Sequence, residues 1–226
     1  MSVVVIDPPA PVVDLALAKR HLRVESDDDD DLIAIYLAAA QGAIDGPAGW
    51  LGRAIGAQTL ELRLSSFQEE DWRLPGGGYA WDGTVWPNWS HWPFDKIPLP
   101  FPPLRQIVSI TYEDLTGADQ VLDPSGWRQI GDGVIPTFND VWPASRLEAN
   151  AVRIRYAAGY DAAGLDPAVT GPVPPPIIAA ILMAAAGLWA NREDVVITDT
   201  RATQIINDAA TNLLSPFRVW SPDRGR

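Results

Sequence analysis

The chain has 226 residues, with 17 basic against 29 acidic side chains, for a formal charge of -12. That balance points away from a sequence-reading nucleic-acid binder, which draws most of its affinity from Lys and Arg neutralising phosphates; no dense basic patch stands out. The absence of cysteine excludes a disulfide scaffold, a thiol nucleophile and Cys-ligated zinc or iron-sulfur sites.

Met1 to Pro11 carries Asp7 and three prolines where the apolar stretch of a signal peptide would run, which predicts an intracellular product. After this Pro-rich lead, Asp14 is placed to cap a short helix from Leu15 to Leu22, with Leu15, Ala18 and Leu22 on one face. The acidic run Asp27 to Asp31 complements the dipole of a second helix, whose stripe runs through Leu32, Ile33, Tyr36, Leu37, Ala40 and Ile44 to Gly46 and Pro47. The run is no EF-hand loop: a loop starting at Asp27 needs Gly sixth and Glu twelfth, where Leu32 and Ala38 stand.

From Gln58 the period changes to two. Leu60, Leu62 and Leu64 alternate with Glu61 and Arg63; Val108, Ile110 and Tyr112 alternate with Ser109, Thr111 and Glu113; Val152, Ile154 and Tyr156 alternate with Arg153 and Arg155. A weaker strand pair is expected at Gln120 to Leu122 and Trp127 to Ile130, with a turn at Asp114 to Gly117.

Between the first two strands, Trp72 to Pro103 holds five of the ten tryptophans. A loop of that length is usually functional or disordered, and its aromatic content argues against plain disorder. Three uses stay open: stacking on sugar rings, anchoring a protein interface through Trp81, Trp86, Trp89 and Trp92, or closing a satellite core.

A helix that is apolar nearly all round follows Pro176 and ends near Asn191. Its 14 helix-compatible residues, Ile177 to Ala190, fall short of the roughly 20 a membrane span needs, so a buried core helix is expected. In the tail, Ile205, Ile206, Ala209, Leu213 and Leu214 fit another helix, stopped by Ser215 and Pro216. Arg201, Arg218, Arg224 and Arg226 outnumber Asp208 and Asp223 there, giving a basic tail on an acidic chain and pointing to an acidic partner.

No catalytic constellation is visible. Asp123-Pro124-Ser125-Gly126 lacks the glycine that should precede a serine nucleophile, and Gly131 and Gly133 are followed by Pro136 where a dinucleotide loop needs Gly or Ala. His21 and His91 have no second histidine at metal-ligand spacing, so no metal, cofactor or catalytic residue is assigned. Glu69 and Glu70 would have to serve any glycosidase reading.

The expected fold class is α+β: a helical bundle formed by the N- and C-terminal helices, an inserted small antiparallel β-sheet or sandwich, and a C-terminal arm. Neither Leu32 to Ile44 nor Ile177 to Trp189 can bury its apolar surface alone, so the two ends of the chain must meet. The boundaries assigned are 1–57 for the N-terminal helices, 58–160 for the β region with its Trp-rich loop at 72–93, 161–199 for the C-terminal core helix, and 200–226 for the arm.

The order of these elements resembles the head-tail connector, or adaptor, family of long-tailed bacteriophages and gene transfer agents. The resemblance is carried by Leu15 to Val24 followed by acids and Leu32-Ile33, by Gln58-Thr59 opening a strand, and by Ile97 to Pro100 before Val108 to Tyr112. It continues through Val152 to Tyr156 with Ala158-Gly159-Tyr160, through Trp189 to Glu193, and through Leu213 to Arg218. It covers most of the chain; Trp72 to Pro93 is longer than the family pattern.

The resemblance implies a non-enzymatic virion protein made in the host cytoplasm and placed in the neck. It would form a ring, expected to be a dodecamer, bound beneath the portal protein and facing a head-closure (stopper) or tail-terminator protein. The C-terminal arm, with Leu213, Leu214, Pro216, Phe217, Arg218, Val219 and Trp220, would dock on the portal, and deleting Leu213 to Arg226 is expected to abolish docking while leaving the fold intact. DNA would pass through the channel without sequence-specific binding, as suits an acidic lining. The competing class is a carbohydrate-binding module or glycoside-active protein built on the Trp-rich loop.

Overall fold

The computed structural model describes residues 1–67, 96–161, 171–191 and 208–219. It is a mixed α+β chain of two compact units: one comprises Met1–Pro8 with Thr59–Ala158, the other Pro9–Gln58 with Gly159–Arg226.

The first unit is built from β1 (Ser2–Asp7), β2 (Gln58–Leu64), β3 (Ile97–Pro98), β4 (Leu104–Glu113), β5 (Asp119–Val121), β6 (Trp127–Gln129), β7 (Gly133–Pro136) and β8 (Val152–Ala158). Five strands form a sheet in the order β1-β2-β8-β4-β5, and three form a second in the order β3-β7-β6. The three alternating segments become β2, β4 and β8; β2 and β8 bury the apolar residues of their alternation, whereas in β4 the register shifts between Ile107 and Ser109 and Val108, expected on the face of Ile110, is 51% exposed. Leu60, Leu62, Leu64, Ile110, Val152, Ile154 and Tyr156 are buried. Phe67 stacks on Trp142 at 5.0 Å and meets Tyr112 edge-on at 5.5 Å. The hydroxyl of Tyr156 donates to the carbonyl of Pro100 at 2.7 Å, and burial pushes its pKa up.

Two features depart from expectation. β1 lies inside what was read as a Pro-rich lead, pairing antiparallel with β2 from Ser2 opposite Arg63 to Asp7 opposite Thr59. The expected pairing of Gln120–Leu122 with Trp127–Ile130 is corrected: β5 pairs with β4, while β6 pairs with β7 in the other sheet. The 3-10 turn Pro124–Gly126, started by Asp123 accepting from the Ser125 N–H at 2.8 Å, parts the two strands. The turn at Asp114 to Gly117 joins β4 to β5. Asp114 accepts from the Thr116 and Ala118 N–H groups, and side-chain hydrogen bonds from Thr116 and Gln120 help hold its carboxyl far below the usual range.

The second unit contains α1 (Leu15–Leu22), α2 (Asp30–Gly42), α3 (Pro175–Ala190) and α4 (Asp208–Leu214). Asp14 caps α1, its carboxylate accepting from the Leu17 N–H at 2.5 Å. Ile33, Leu37 and Ala40 of α2, with Ile44 beyond it, pack with Ile177, Ala180, Ile181, Ala184 and Ala185 of α3 in one core. The alanines permit close approach of α2 to α3. α3 opens on prolines, whose fixed φ suits a first turn that needs no N–H partner. Among the described residues no helix is long and apolar enough to cross a membrane.

Candidate functional site

Two surfaces concentrate the chemistry, one on each unit. On the helical unit, α4 runs into a 3-10 turn at Ser215–Phe217 and then Arg218 and Val219. Ala210 and Leu214, four apart, point into the core and are 0% and 1% exposed. Beyond them the chain is strapped down. Arg53 donates from Nε to the Phe217 carbonyl at 3.1 Å and from Nη1 to the Tyr160 hydroxyl at 3.0 Å. The Val219 N–H donates to the Leu51 carbonyl at 2.9 Å, and the Arg218 guanidinium lies 5.2 Å from the centre of the Trp50 ring. Gly52, at φ +73°, lets the two backbones meet: a Cβ there would sit 2.6 Å from the Val219 carbonyl oxygen.

The seven residues assigned to portal docking therefore divide. Leu214 belongs to the core, Phe217 packs against it, and Arg218 and Val219 hold the strap to its own unit. Leu213 and Pro216 are exposed, and Trp220 lies outside the described residues. The expectation that removing Leu213 to Arg226 leaves the fold intact is corrected, because that cut removes Leu214 from the core and the Val219 backbone hydrogen bond. Trp81, Trp86, Trp89 and Trp92 also lie outside the described residues. Trp50, Arg53 and Tyr160 were missed; nothing local in the sequence marks Arg53 as the partner of a carbonyl 164 positions away.

On the β unit, the polar face of the five-stranded sheet gathers three guanidinium groups. Thr111 lies opposite Arg153 and Ser109 opposite Arg155, so alternation along single strands becomes one continuous patch across them. Arg63, Arg153 and Arg155 line a concavity of about 560 Å³ with Ser109 and Thr111. Glu61, buried among them, accepts from Arg63 Nε and from Arg155 Nη2, both at 2.9 Å. Burial works against its charge, but Arg155 and Arg63 outweigh that and hold its carboxyl below the usual glutamate range. Arg153 pairs with Asp119.

The Glu61 shift makes stability pH-dependent. A depressed folded-state pKa gives stabilisation that is present above the ordinary value of 4.5 and lost as pH falls through the lowered one. Glu61→Gln should therefore cost about 1–3 kcal/mol at neutral pH. That difference should close in acid below pH 4.5, as read by paired urea melts across pH.

The acidic run at the start of α2 is partly neutralised from α1: Lys19 Nζ lies 2.5 Å from Asp27 and 2.7 Å from Asp30. Asp28 accepts from the Ser26 hydroxyl at 2.6 Å, and Asp28 and Asp31 are exposed. Among the described residues no cluster of His, Cys, Asp or Glu has the arrangement to hold a metal ion.

No protein-family model matches the sequence, and no curated protein matches it. Solved structures do. The chain is similar over 100% of both lengths to a chain in the neck of an empty gene transfer agent particle computed with C6 symmetry, at 17% identity and TM-score 0.65. It is similar to a chain in the virion of a native gene transfer agent particle, at 18% identity and TM-score 0.64 over 98% of this chain and 97% of that one. A chain in the neck of the native particle computed with C12 symmetry matches over 100% of both, at 18% identity and TM-score 0.59. The fold is thus shared with chains of gene transfer agent particles, two of them in necks computed with C6 and C12 symmetry.

Proposed function

We propose that this chain is a virion structural protein and not an enzyme: a head-tail connector, or adaptor, in the neck of a phage or gene transfer agent particle. In this reading a dodecameric ring binds beneath the portal protein, extends the DNA channel toward the tail and helps complete the head. The head-closure or tail-terminator protein meets it on the other side. The N- and C-terminal helices form a bundle, the β region is inserted in the sequence, and the last residues form the docking arm. The observation that carries the reading is the likeness of fold over the whole of both chains to components of gene transfer agent necks. The acidic chain supports it, since a channel through which DNA slides must not trap phosphates.

The strap refines the arm. Ala210, Leu214, Phe217 and Val219 are spent on the helical unit, so docking falls to Trp220–Arg226 together with the exposed Leu213 and Pro216. The test is electron microscopy of particles from cells producing tagged full-length protein or protein ending at Val219. Full-length protein should appear as rings on the portal vertices of DNA-filled capsids. The shortened chain should melt like the full-length one yet be missing from that vertex. Attachment of the shortened chain at full-length levels would end the arm assignment. Tagged full-length protein recovered without particles, where particles are abundant, would end the neck reading itself.

A further inference from the structure

The arginine face of the sheet has no function in the reading so far. Three of the chain's 17 cationic side chains converge on one concavity, while Glu61 and Asp119 are the carboxylates paired with them. Three minus two leaves a local charge of +1 on a chain whose total is -12. That surplus is too small to track a phosphate backbone, where affinity grows with the number of phosphates neutralised. A buried carboxylate in the middle of the patch also repels a phosphate at closest approach. Its effect on the guanidinium groups is different: Glu61 engages Arg63 through Nε and Arg155 through Nη2, fixing both side chains. Fixed guanidinium groups suit discrete carboxylates, which they bind through paired N–H donors.

The geometry points to a subunit contact in which this face receives the acidic segment Asp27–Asp31 of a neighbouring copy, with Asp28 and Asp31 as the contacting carboxylates. The inference rests on the ring reading above. A closed ring needs two different, complementary patches on every subunit, because its contacts are heterologous. The arginine face and the acidic run supply opposite charges on one chain. Lys19 takes up Asp27 and Asp30, which leaves Asp28 and Asp31 displayed. Charge complementarity of this kind sets register and partner choice, and it weakens as salt shortens the screening length.

The absence of cysteine gives a clean assay. Asp28→Cys and Thr111→Cys are introduced together and singly into the full-length chain, and purified particles are treated with a bismaleimide cross-linker. The double variant should give a ladder of dimers and higher multiples on denaturing gels, and each single variant should give monomer alone. As a second arm, Asp28→Arg with Asp31→Arg should lose incorporation into particles, and adding Arg153→Asp should restore part of it. Subunits that reach the particle but give no ladder, with the double-arginine variant incorporated as wild type, overturn this contact and leave the neck reading standing. If wild-type chain never reaches particles, it is the neck reading that fails. If Arg153→Gln weakens binding of a duplex DNA probe and no ladder forms, the face is a DNA-contacting surface and the proposal is overturned.

Discussion

Asp45→Ala is expected to destabilise the helical unit by about 3–5 kcal/mol, measured by urea denaturation at neutral pH. Asp45 is 4% exposed and follows α2, where it organises the chain with four accepted hydrogen bonds. Its Oδ1 accepts from the Ile55 N–H and from Gln58 Nε2, both at 2.7 Å. Its Oδ2 accepts from the Gly56 N–H at 2.8 Å and from Gln41 Nε2 at 2.9 Å. Gln41 extends the network, donating to the Ala10 carbonyl at 2.9 Å and accepting from the Val12 N–H at 3.1 Å. Burial pushes the Asp45 carboxyl up, and these four donors oppose that by stabilising the charged form. Alanine removes every acceptor at once, strands the Ile55 and Gly56 N–H groups in the interior and takes one of two partners from each of the Gln41 and Gln58 amides. Asp45→Asn keeps the shape but turns an NH₂ toward donors, so it should lose about half as much, roughly 1–3 kcal/mol. An alanine variant within 1 kcal/mol of wild type would mean that water replaces the carboxylate and that the hub does not order the segment.

What the sequence made legible follows from how local each signal is. α1 and α2 were readable because each presents a stripe to one core, with Asp14 starting α1, and α3 because it is apolar nearly all round and opens on prolines. β2 and β8 were readable because their alternation mirrors a sheet with one buried and one polar face, whereas β4 was readable as a strand but not in phase throughout, since a register shift between Ile107 and Ser109 turns Val108 to solvent. β1 was not readable. Val3 to Ile6 does not alternate, the strand lies at the edge of the sheet, and its partner is more than fifty positions away. β5 and β6 were readable as strands but not as members of different sheets, since three residues carry no information on pairing.

The functional surfaces divide the same way. Alternation already set Arg63, Arg153 and Arg155 on the polar sides of their strands, yet only the placing of β2 beside β8 and the reach of Arg63 and Arg155 to Glu61 bring them together. In the tail, the stripe of Ala209, Leu213 and Leu214 marked a helix but not its destination: Ala210 and Leu214 face the core, Ala209 and Leu213 are exposed, and Ile205 and Ile206 lie outside the described residues. The destination is set by Leu51, Gly52 and Arg53, which were silent in the sequence because backbone carbonyls and a glycine at positive φ have no composition to read.

Gly159→Ala should be as severe as the loss of Asp45, for a reason of backbone geometry alone. Gly159 follows the end of β8 and has φ +107°, a conformation that L residues rarely adopt. A Cβ there would lie 2.2 Å from the Gly56 carbonyl oxygen and 3.0 Å from the Ala57 Cα, both main-chain atoms that no rotamer change can move aside. Relief requires the two segments to separate. That would break the 2.9 Å hydrogen bond from the Tyr160 N–H to the Ile55 carbonyl and disturb the Gly56 N–H that Asp45 accepts. Strain and overpacking together are expected to cost about 3–5 kcal/mol. Gly131→Ala is the matched control: φ is +54° there, but nothing lies within 4 Å of the added carbon, so only the conformational cost of about 1 kcal/mol remains. Equal losses for the two variants in the same denaturation experiment would show that positive φ, and not the close approach to Gly56, sets the cost at Gly159. A loss at least twice as large at Gly159 would assign the excess to the backbone contact that carries the chain from β8 past Ile55 to Tyr160, where Arg53 holds the strap.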